Sequence, residues 1–242
     1  MGNDFVILEA SQTPLINGAG AVDYPCLAQE ICHRRYGIGA DGILVMGCDE
    51  DGVHRMTVYN ADGSRPEMCG NGLRCAALWL RDTEAVVENQ FTIQTDAGLK
   101  TVRINEVGIT IEMGAARHNG THELSSGGLK FTGEWIDTGN PHFVIFEAWS
   151  PHAPEQHGHA LATDPLFPEG ANVSFAQLVQ PGLIELRVWE RGCGLTLACG
   201  TGACATVAAS WLTGRSPSNT TIEVKLPGGS LKVGGTPDAL IM

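Results

Sequence analysis

The chain has few basic residues and no long apolar run. Lys and Arg together number 15 against 27 Asp and Glu, so the net charge is -12. Nucleic acids are bound by clustered Lys and Arg, and this balance argues against such a partner. No run approaches the roughly 18 apolar residues that span a membrane, and the start, MGNDFVILEA, lacks the cationic segment of a signal peptide. We therefore expect a cytoplasmic protein with neither a nucleic-acid nor a membrane partner.

The sequence also lacks the cysteine spacings of a zinc site or a disulfide scaffold. Eight Cys are present, but no CxxC pair occurs, and 242 residues can bury a core without covalent staples. His152, His157 and His159 lie in a Pro-rich stretch that we interpret as a solvated loop, so we expect no metal. Most of the cysteines are interpreted as small buried apolar side chains: Cys26, Cys32, Cys48, Cys75, Cys193 and Cys204.

Signals for a bound organic cofactor are missing as well. A pyridoxal phosphate enzyme needs a Lys for its Schiff base, and only four Lys occur. The contexts of Lys100, Lys225 and Lys232 are those of exposed strand positions. A phosphate-binding loop would contain Gly-Lys-Ser or Gly-Lys-Thr, which is absent. We expect an enzyme that works without a cofactor.

Two related motifs are present: MCGNGLRC at 68–75 and ACGTGACA at 198–205. In each, a Cys precedes Gly-polar-Gly and then apolar residues at helical spacing, so Cys69 and Cys199 should each stand at the start of a helix. The unpaired N–H groups and the dipole of a helix N-terminus bind anions and favour a thiolate. Two such helix starts facing each other would form one site with two thiols.

A second repeat supports two homologous halves. GNDFVILEA, from Gly2, returns as GNPHFVIFEA, from Gly139, at a similar offset to that between the Cys motifs. The predicted fold is α/β (α+β), with two similar strand-rich domains, each containing a long central helix that begins at its Cys. The first domain is predicted at 1–113 and the second at 114–233, and the chain end, about 234–242, could return to the first.

Periodicity and turn residues predict the individual elements. Residues 115–132 are interpreted as a loop and interdomain crossover. Helices are predicted at 26–35, after Cys69, and from Cys199 to near Gly214. Strands are predicted at 5–8, 43–46, 55–60, 91–95, 101–105, 109–113, 184–189, 221–226 and 230–233.

Two thiols at one site fit a defined chemistry. The carbanion left by removing the α-proton of an amino acid is stabilised when helix N-termini cradle its carboxylate. One thiolate can take the proton from one face while the other Cys, as a thiol, returns a proton on the opposite face. This is the chemistry of a two-base racemase or epimerase.

The motifs together resemble the diaminopimelate epimerase family along essentially the whole chain. The matching segments are GNDF, GIGADGIL, NADGS, MCGNGLRC, GNPHFV, NVSF, ERGCGLTLACGTGACA and PGGSL. Leu195 stands where many members have Glu, and both ends are shorter than usual. The resemblance implies cofactor-independent interconversion of LL- and meso-diaminopimelate in lysine and peptidoglycan synthesis. It also implies a cleft site between two domains and a homodimer.

The resemblance assigns roles to matched positions. Cys69 and Cys199 become the acid/base pair. Arg191 can hold the distal carboxylate in a bidentate manner and Glu190 the distal ammonium. The helix starts offer N–H groups and side chains to the α-carboxylate through Gly70, Asn71, Gly200 and Thr201. The substrate's ends correspond to Asn3, Asn60, Asn140, Asn172, Glu190 and Arg191.

Two alternatives remain open. A related two-cysteine racemase, acting on histidine or proline, would use the same thiol pair. Glu190 and Arg191 together instead favour a substrate with a charged amino-acid group at its far end. A non-catalytic anion-binding module is the other alternative, although such a module does not need Cys.

Overall fold

The computed structural model describes residues 2–11, 22–106, 108–146 and 150–242. They form two compact units, which we call the first unit (Asn3–Ile111) and the second unit (Glu112–Met242 with Gly2). The division falls two residues before the boundary predicted at 113/114. Each unit has its own cluster of buried apolar residues.

The first unit has a β-α-β-β-α-β-β-β order. Its strands lie in the sequence β1-β2-β3-β4-β5-β6, with β1/β2 and β3/β4 parallel and the other neighbours antiparallel. The elements are β1 Phe5–Glu9, α1 Tyr24–Cys32, β2 Gly42–Cys48, β3 His54–Asn60, α2 Gly70–Asp82, β4 Gln90–Thr95, β5 Gly98–Asn105 and β6 Gly108–Gly114.

The second unit repeats this order after an added hairpin. Its strands lie in the sequence β9-β10-β11-β13-β14-β15, and β9/β10 and β11/β13 are again the parallel pairs. The hairpin extends the sheet beyond β9, and β12 pairs with β11. The elements are β7 Arg117–Ser126, β8 Leu129–Asp137, β9 Pro141–Ile145, α3 Ala153–Ala162, β10 Asn172–Gln180, β11 Leu183–Glu190, β12 Gly194–Thr196, α4 Gly200–Leu212, β13 Ile222–Leu226, β14 Gly229–Thr236 and β15 Ala239–Ile241.

The expected pair of similar strand-rich halves, each with a helix after its Cys, is confirmed by this matching topology. The chain end belongs to the second unit, where β15 pairs with β14 and with Glu112 and Gly114 of β6. The predicted closing hairpin around the Pro-Gly-Gly turn is also present, as β13 and β14.

The predicted loop at 115–132 was wrong. Residues 117–137 form the β7–β8 hairpin, in which Leu124 lies opposite Phe131 and both are buried. Polar residues dominate β7, so its sequence carries little of the apolar alternation that identifies a strand. Pairing with β8 supplies the order that local propensity does not.

The predicted histidine-containing surface loop was also wrong. It is α3, which begins at Ala153 with Pro154 in its first turn, a position that needs no backbone N–H. Gly158 lies in the middle of α3. Glycine is needed at this position because a Cβ there would lie 2.7 Å from the side chain of Trp189. His157 bonds Ser126 through its Nδ1 at 3.0 Å, so it is held by β7.

The cysteines differ in burial from the expected pattern. Cys32 and Cys204 are buried and Cys75 is partly buried, but Cys26, Cys48 and Cys193 are exposed. None of these eight described cysteines is in a disulfide. Over the described ranges, no helix is both long and apolar enough to cross a membrane.

Candidate active site

The two motif cysteines cap their helices with the same geometry. Cys69 precedes α2 with φ/ψ of -131°/110°, and Cys199 precedes α4 with -130°/112°. In both, the sulfur accepts the N–H of the third residue on, Gly72 or Gly202, at 3.4 Å. The prediction of a Cys at the start of each helix is therefore confirmed.

The glycines of the motifs let each helix start approach its sheet. A Cβ on Gly72 would lie 2.9 Å from Leu44 Cδ2 on β2. A Cβ on Gly202 would lie 3.1 Å from Val188 Cγ2 on β11 and 3.2 Å from the sulfur of Cys199. Glycine at these positions fixes the sulfur against the sheet, because any larger residue would push the first turn outward.

In the first unit, Asn3 and Asn71 are joined beside Cys69. Asn71 Nδ2 donates to Asn3 Oδ1 at 2.5 Å, and Asn3 Nδ2 donates to Asp41 Oδ2 at 3.0 Å. Arg34 donates to Asp41 Oδ1 at 2.7 Å, so the orientation of Asn3 is fixed from the loop before β2. Asp41 lies in the GIGADG motif, but nothing in the sequence distinguished it as a site residue.

Asn60 lies at the end of β3 and shapes the loop that leads to Cys69. Its Nδ2 donates to Ser64 Oγ at 2.9 Å, and its own N–H donates to the carbonyl of Ser64 at 2.9 Å. This is the behaviour of an Asn that stabilises a turn.

The second unit repeats the Asn contact at Cys199. Asn140 Nδ2 donates to Thr201 Oγ1 at 3.4 Å. This bond corresponds to the one between Asn3 and Asn71 in the first unit. Thr201 Oγ1 lies 3.5 Å from the sulfur of Cys199. The two sequence repeats, GN and CGxG, therefore meet within each unit through equivalent side chains.

The surroundings of Cys199 hold it as a thiol. The residue is 4% exposed. Burial raises the pKa of its thiol well above the ordinary value, and the nearby Glu190 carboxylate raises that pKa further. The bonds from Thr201 and Gly202 favour the thiolate but do not outweigh burial. At Cys199, desolvation therefore opposes the stabilisation of a thiolate that the helix start offers.

Glu190 is the last residue of β11, and its carboxyl group is bound by β12. Its Oε1 accepts the hydroxyl of Thr196 at 2.5 Å. Burial raises the pKa of its carboxyl group, against the opposing effects of bonds from Thr196 and Cys199. The structure thus places Glu190 beside the thiol, whereas the sequence analysis assigned it to a distal ammonium.

Arg191 and Asn172 form a second polar group in this unit. Asn172 Oδ1 accepts the N–H of Arg191 at 2.9 Å, and Asn172 Nδ2 donates to the carbonyl of Pro141 at 3.2 Å. Arg191 Nη1 donates to the carbonyl of Glu169 at 3.1 Å. Asn172 therefore joins β9 to the loop after β11.

His142, on β9 directly opposite Asn172, was missed by sequence reasoning. It is fully buried, and burial together with the charge of Arg191 lowers its pKa to about 3, so the ring is neutral. Its Nε2 lies 3.1 Å from Asn140 Oδ1 and donates to it, while Nδ1 has no hydrogen-bond partner among the described residues. The GNPHF motif contained this residue, but a lone His in an apolar strand gave no distinct signal.

In the described part of the chain, no three His, Cys, Asp or Glu residues lie close enough together to bind a metal ion. Lys100, Lys225 and Lys232 lie on strands β5, β13 and β14 as predicted; Lys225 and Lys232 are exposed, whereas Lys100 is partly buried. The fourth, Lys130, donates to Glu123 at 2.7 Å on the exposed face of the hairpin. The polar groups around the two motif cysteines and their neighbouring strands are thiols, amides, hydroxyls, carboxylates, guanidinium groups and one imidazole.

Solved structures of related folds match this arrangement of elements. A probable proline racemase from Agrobacterium radiobacter K84 superposes with a TM-score of 0.70 at 14% identity, covering 90% of this chain and 76% of that chain. A hydroxyproline epimerase from Agrobacterium vitis gives 0.68 at 12% identity, with 88% and 75% covered. These likenesses show the fold.

Sequence relatives are much closer. Diaminopimelate epimerase from Desulfitobacterium hafniense is 37% identical over 254 residues, which cover 96% of this chain and 87% of that protein. Diaminopimelate epimerase 1 from a Nostoc species is 40% identical over 255 residues, covering 96% and 88%. The model of the diaminopimelate epimerase family matches residues 1–119 and 134–240. This chain therefore belongs to the diaminopimelate epimerase family.

Proposed function

We propose that this chain is a cofactor-independent isomerase that interconverts LL- and meso-diaminopimelate. The observation that carries the proposal is the duplicated sulfur cap, in which Cys69 and Cys199 begin their helices with matching geometry. The relatives named diaminopimelate epimerase support the substrate. The reaction would serve the synthesis of lysine and peptidoglycan.

In the proposed reaction, Cys69 and Cys199 act on one α-carbon from opposite faces. The thiolate of one Cys takes the α-proton and becomes a thiol, and the thiol of the other gives its proton to the resulting carbanion. No net proton is gained or lost. The protonated state of Cys199 suits it to give a proton in the resting enzyme, and the Cys199 thiolate left by that step would be the base in the reverse direction.

The α-carboxylate would be held at the two helix starts. The N–H groups of the first turns, with the side chains of Asn71 and Thr201, can donate to it as charge builds up during proton removal. Preorganised donors of this kind stabilise the transition state because they need no reorientation. The members of this group are Gly70, Asn71, Gly200 and Thr201.

The distal end of the substrate would be bound by the remaining polar residues. Arg191 offers a planar fork that matches a carboxylate. Asn172 holds the backbone of Arg191. Asn3 and Asn140 orient the helix-start side chains, and Asn60 shapes the loop before Cys69. We assign Glu190 to Cys199, since its raised pKa and its position link it to the thiol.

Proton exchange in deuterated water tests the proposal. The reduced protein, without added cofactor, should replace the α-proton of LL-diaminopimelate by deuterium. The loss of the α-proton NMR signal measures this exchange. Exchange on proline or histidine instead would favour the related racemases. Binding of diaminopimelate without any exchange would favour the anion-binding alternative and overturn the proposal.

We also propose that the protein works in the cytoplasm as a homodimer. Eight free thiols fit a reducing compartment. The dimer is supported by the family resemblance and by exposed apolar side chains such as Tyr36 and Ile38 in the first unit. Light scattering after size-exclusion chromatography should give twice the chain mass, and a monomer mass at micromolar concentration would contradict the dimer.

A further inference from the structure

The loop between α3 and β10 holds the Arg191 side chain along its length. At the tip, Nη1 donates to the carbonyl of Glu169 at 3.1 Å. Along the stem, Arg191 Cδ and Cγ lie 3.2 and 3.3 Å from the position that a Cβ on Gly170 would occupy. At the base, the N–H of Arg191 is bound by Asn172. The Ala162 carbonyl oxygen lies 3.3 Å from the same position, so an added methyl group would fit only if the Arg191 stem or this backbone shifted slightly.

The loop that makes these contacts is itself anchored. Phe167 is buried in the second unit's core and meets Trp135 edge to face, with ring centroids 5.2 Å apart. The Gly170 N–H donates to the carbonyl of Phe167 at 2.8 Å. The Ala171 N–H donates to the carbonyl of Ala162, at the end of α3, at 2.9 Å. The Glu169 carbonyl is thus presented from a fixed position.

We propose that the Glu169–Gly170 peptide is a positioning element that sets the guanidinium of Arg191 for the substrate's distal carboxylate. The proposal rests on the function proposed above and extends it to the choice of substrate. A guanidinium has five N–H donors in a rigid fork. One donor bound to the Glu169 carbonyl fixes the plane of the fork before substrate arrives. Less rotamer freedom is then lost on binding a distal carboxylate.

Gly170 is the part of this element that a substitution can test. Its φ of +76° lies in the left-handed region, and the added Cβ of alanine would press on the Arg191 stem. Gly182, in the β10–β11 turn, has a φ of +80° with nothing within 4 Å of its Cβ position. Gly170→Ala and Gly182→Ala therefore impose similar backbone strain, and only the first displaces Arg191.

Steady-state kinetics on diaminopimelate should separate the two variants. We expect Gly170→Ala to raise KM about tenfold with kcat within about threefold, since uniform binding is lost. Gly182→Ala should leave both within about threefold of the unsubstituted enzyme. Equal KM values in the two variants, or a fall in kcat alone for Gly170→Ala, would overturn the proposal.

The NMR signal of the Arg191 Nε–H group gives a readout that needs no turnover and is made on the unsubstituted protein. It is assigned by its loss in Arg191→Lys. In the substrate-free protein we expect slow rotation and slow solvent exchange for this group, and fast averaging would overturn the proposal.

The two proposals can fail separately. If the Arg191 signal shows restricted rotation but the protein exchanges no α-proton of diaminopimelate, the proposed function fails while the positioning of Arg191 stands. If diaminopimelate is turned over and Arg191 rotates freely, only the positioning fails.

Discussion

At the scale of single residues, Cys69 and Cys199 share a backbone geometry but differ in their surroundings. Cys199 is buried beside Glu190, whereas Cys69 is partly exposed. A two-base reaction needs one thiol and one thiolate at a time. The same capping motif in two environments therefore gives the two sulfurs of a duplicated chain different degrees of burial.

Replacing Glu190 tests this inequality. Glu190→Gln removes a negative charge that raises the pKa of Cys199, so the pKa should fall, although burial should keep it above the ordinary value. The rate of alkylation of Cys199 in the folded protein can be measured by mass spectrometry at a series of pH values. In Glu190→Gln this rate should reach half its maximum at a lower pH than in the unsubstituted protein. Glu185→Gln removes the same charge from an exposed position on the same strand and should change nothing. An unchanged or raised midpoint in Glu190→Gln would contradict the assigned contact.

His142 should make stability depend on pH. Its folded pKa of about 3 lies below the unfolded value near 6.5, so the unfolded chain binds more protons between these values. The stabilisation is complete above about pH 6.5 and is lost as pH falls, at a slope approaching about 1.4 kcal/mol per pH unit. Urea unfolding of His142→Asn should show a flatter pH dependence than the unsubstituted protein from pH 7 to 4.5. Parallel slopes would contradict the buried neutral ring.

At the scale of elements, the β7–β8 hairpin is held by one buried carboxylate. Glu134 is 4% exposed and its Oε2 accepts from His118 Nε2 at 2.9 Å and Thr121 Oγ1 at 2.7 Å. Arg215, just after α4, lies 3.6 Å from its Oε1. The hairpin and the chain that follows α4 are thus joined at one residue.

Two Glu→Gln changes in this hairpin should differ in cost. Glu134→Gln should lower the free energy of unfolding by on the order of 1.5–3 kcal/mol, since bonds to a buried charge are lost. Glu123→Gln, which removes an exposed pair with Lys130, should cost less than about 1 kcal/mol. Urea unfolding measures both. Similar losses in the two variants would mean that burial of Glu134 does not strengthen its bonds.

Elements with strong local signals could be predicted, and those stabilised by distant partners could not. The helices after Cys69 and Cys199 follow from Gly-rich caps and apolar spacing. α3 was hidden by Pro154 and Gly158, which normally disfavour helices but here fit the first turn and the contact with Trp189. β7 was hidden because its order comes from pairing with β8.

At the scale of the whole molecule, the chain is a duplication whose site residues recur in both units. Sequence repeats were enough to predict the paired helices and the residues at their starts. The bonds of Asn140 to His142 and of Arg191 to Glu169 were not predictable, because the partners depend on strand register and on the course of one loop. Side-chain identity suggests a candidate role, and the folded contacts show which groups the side chain meets, as the contact of Glu190 with Cys199 illustrates.

The central claim is that Cys69 and Cys199 act on opposite faces of one α-carbon. The most direct measurement offers Cys69→Ser and Cys199→Ser an analogue of diaminopimelate with a leaving group on the β-carbon, where proton removal alone leads to elimination. Serine is too weak an acid to replace the thiolate. Each variant should lose epimerisation yet eliminate slowly from one epimer, and the two variants should prefer opposite epimers. Elimination from the same epimer by both variants, or near-normal epimerisation in either, would contradict the account.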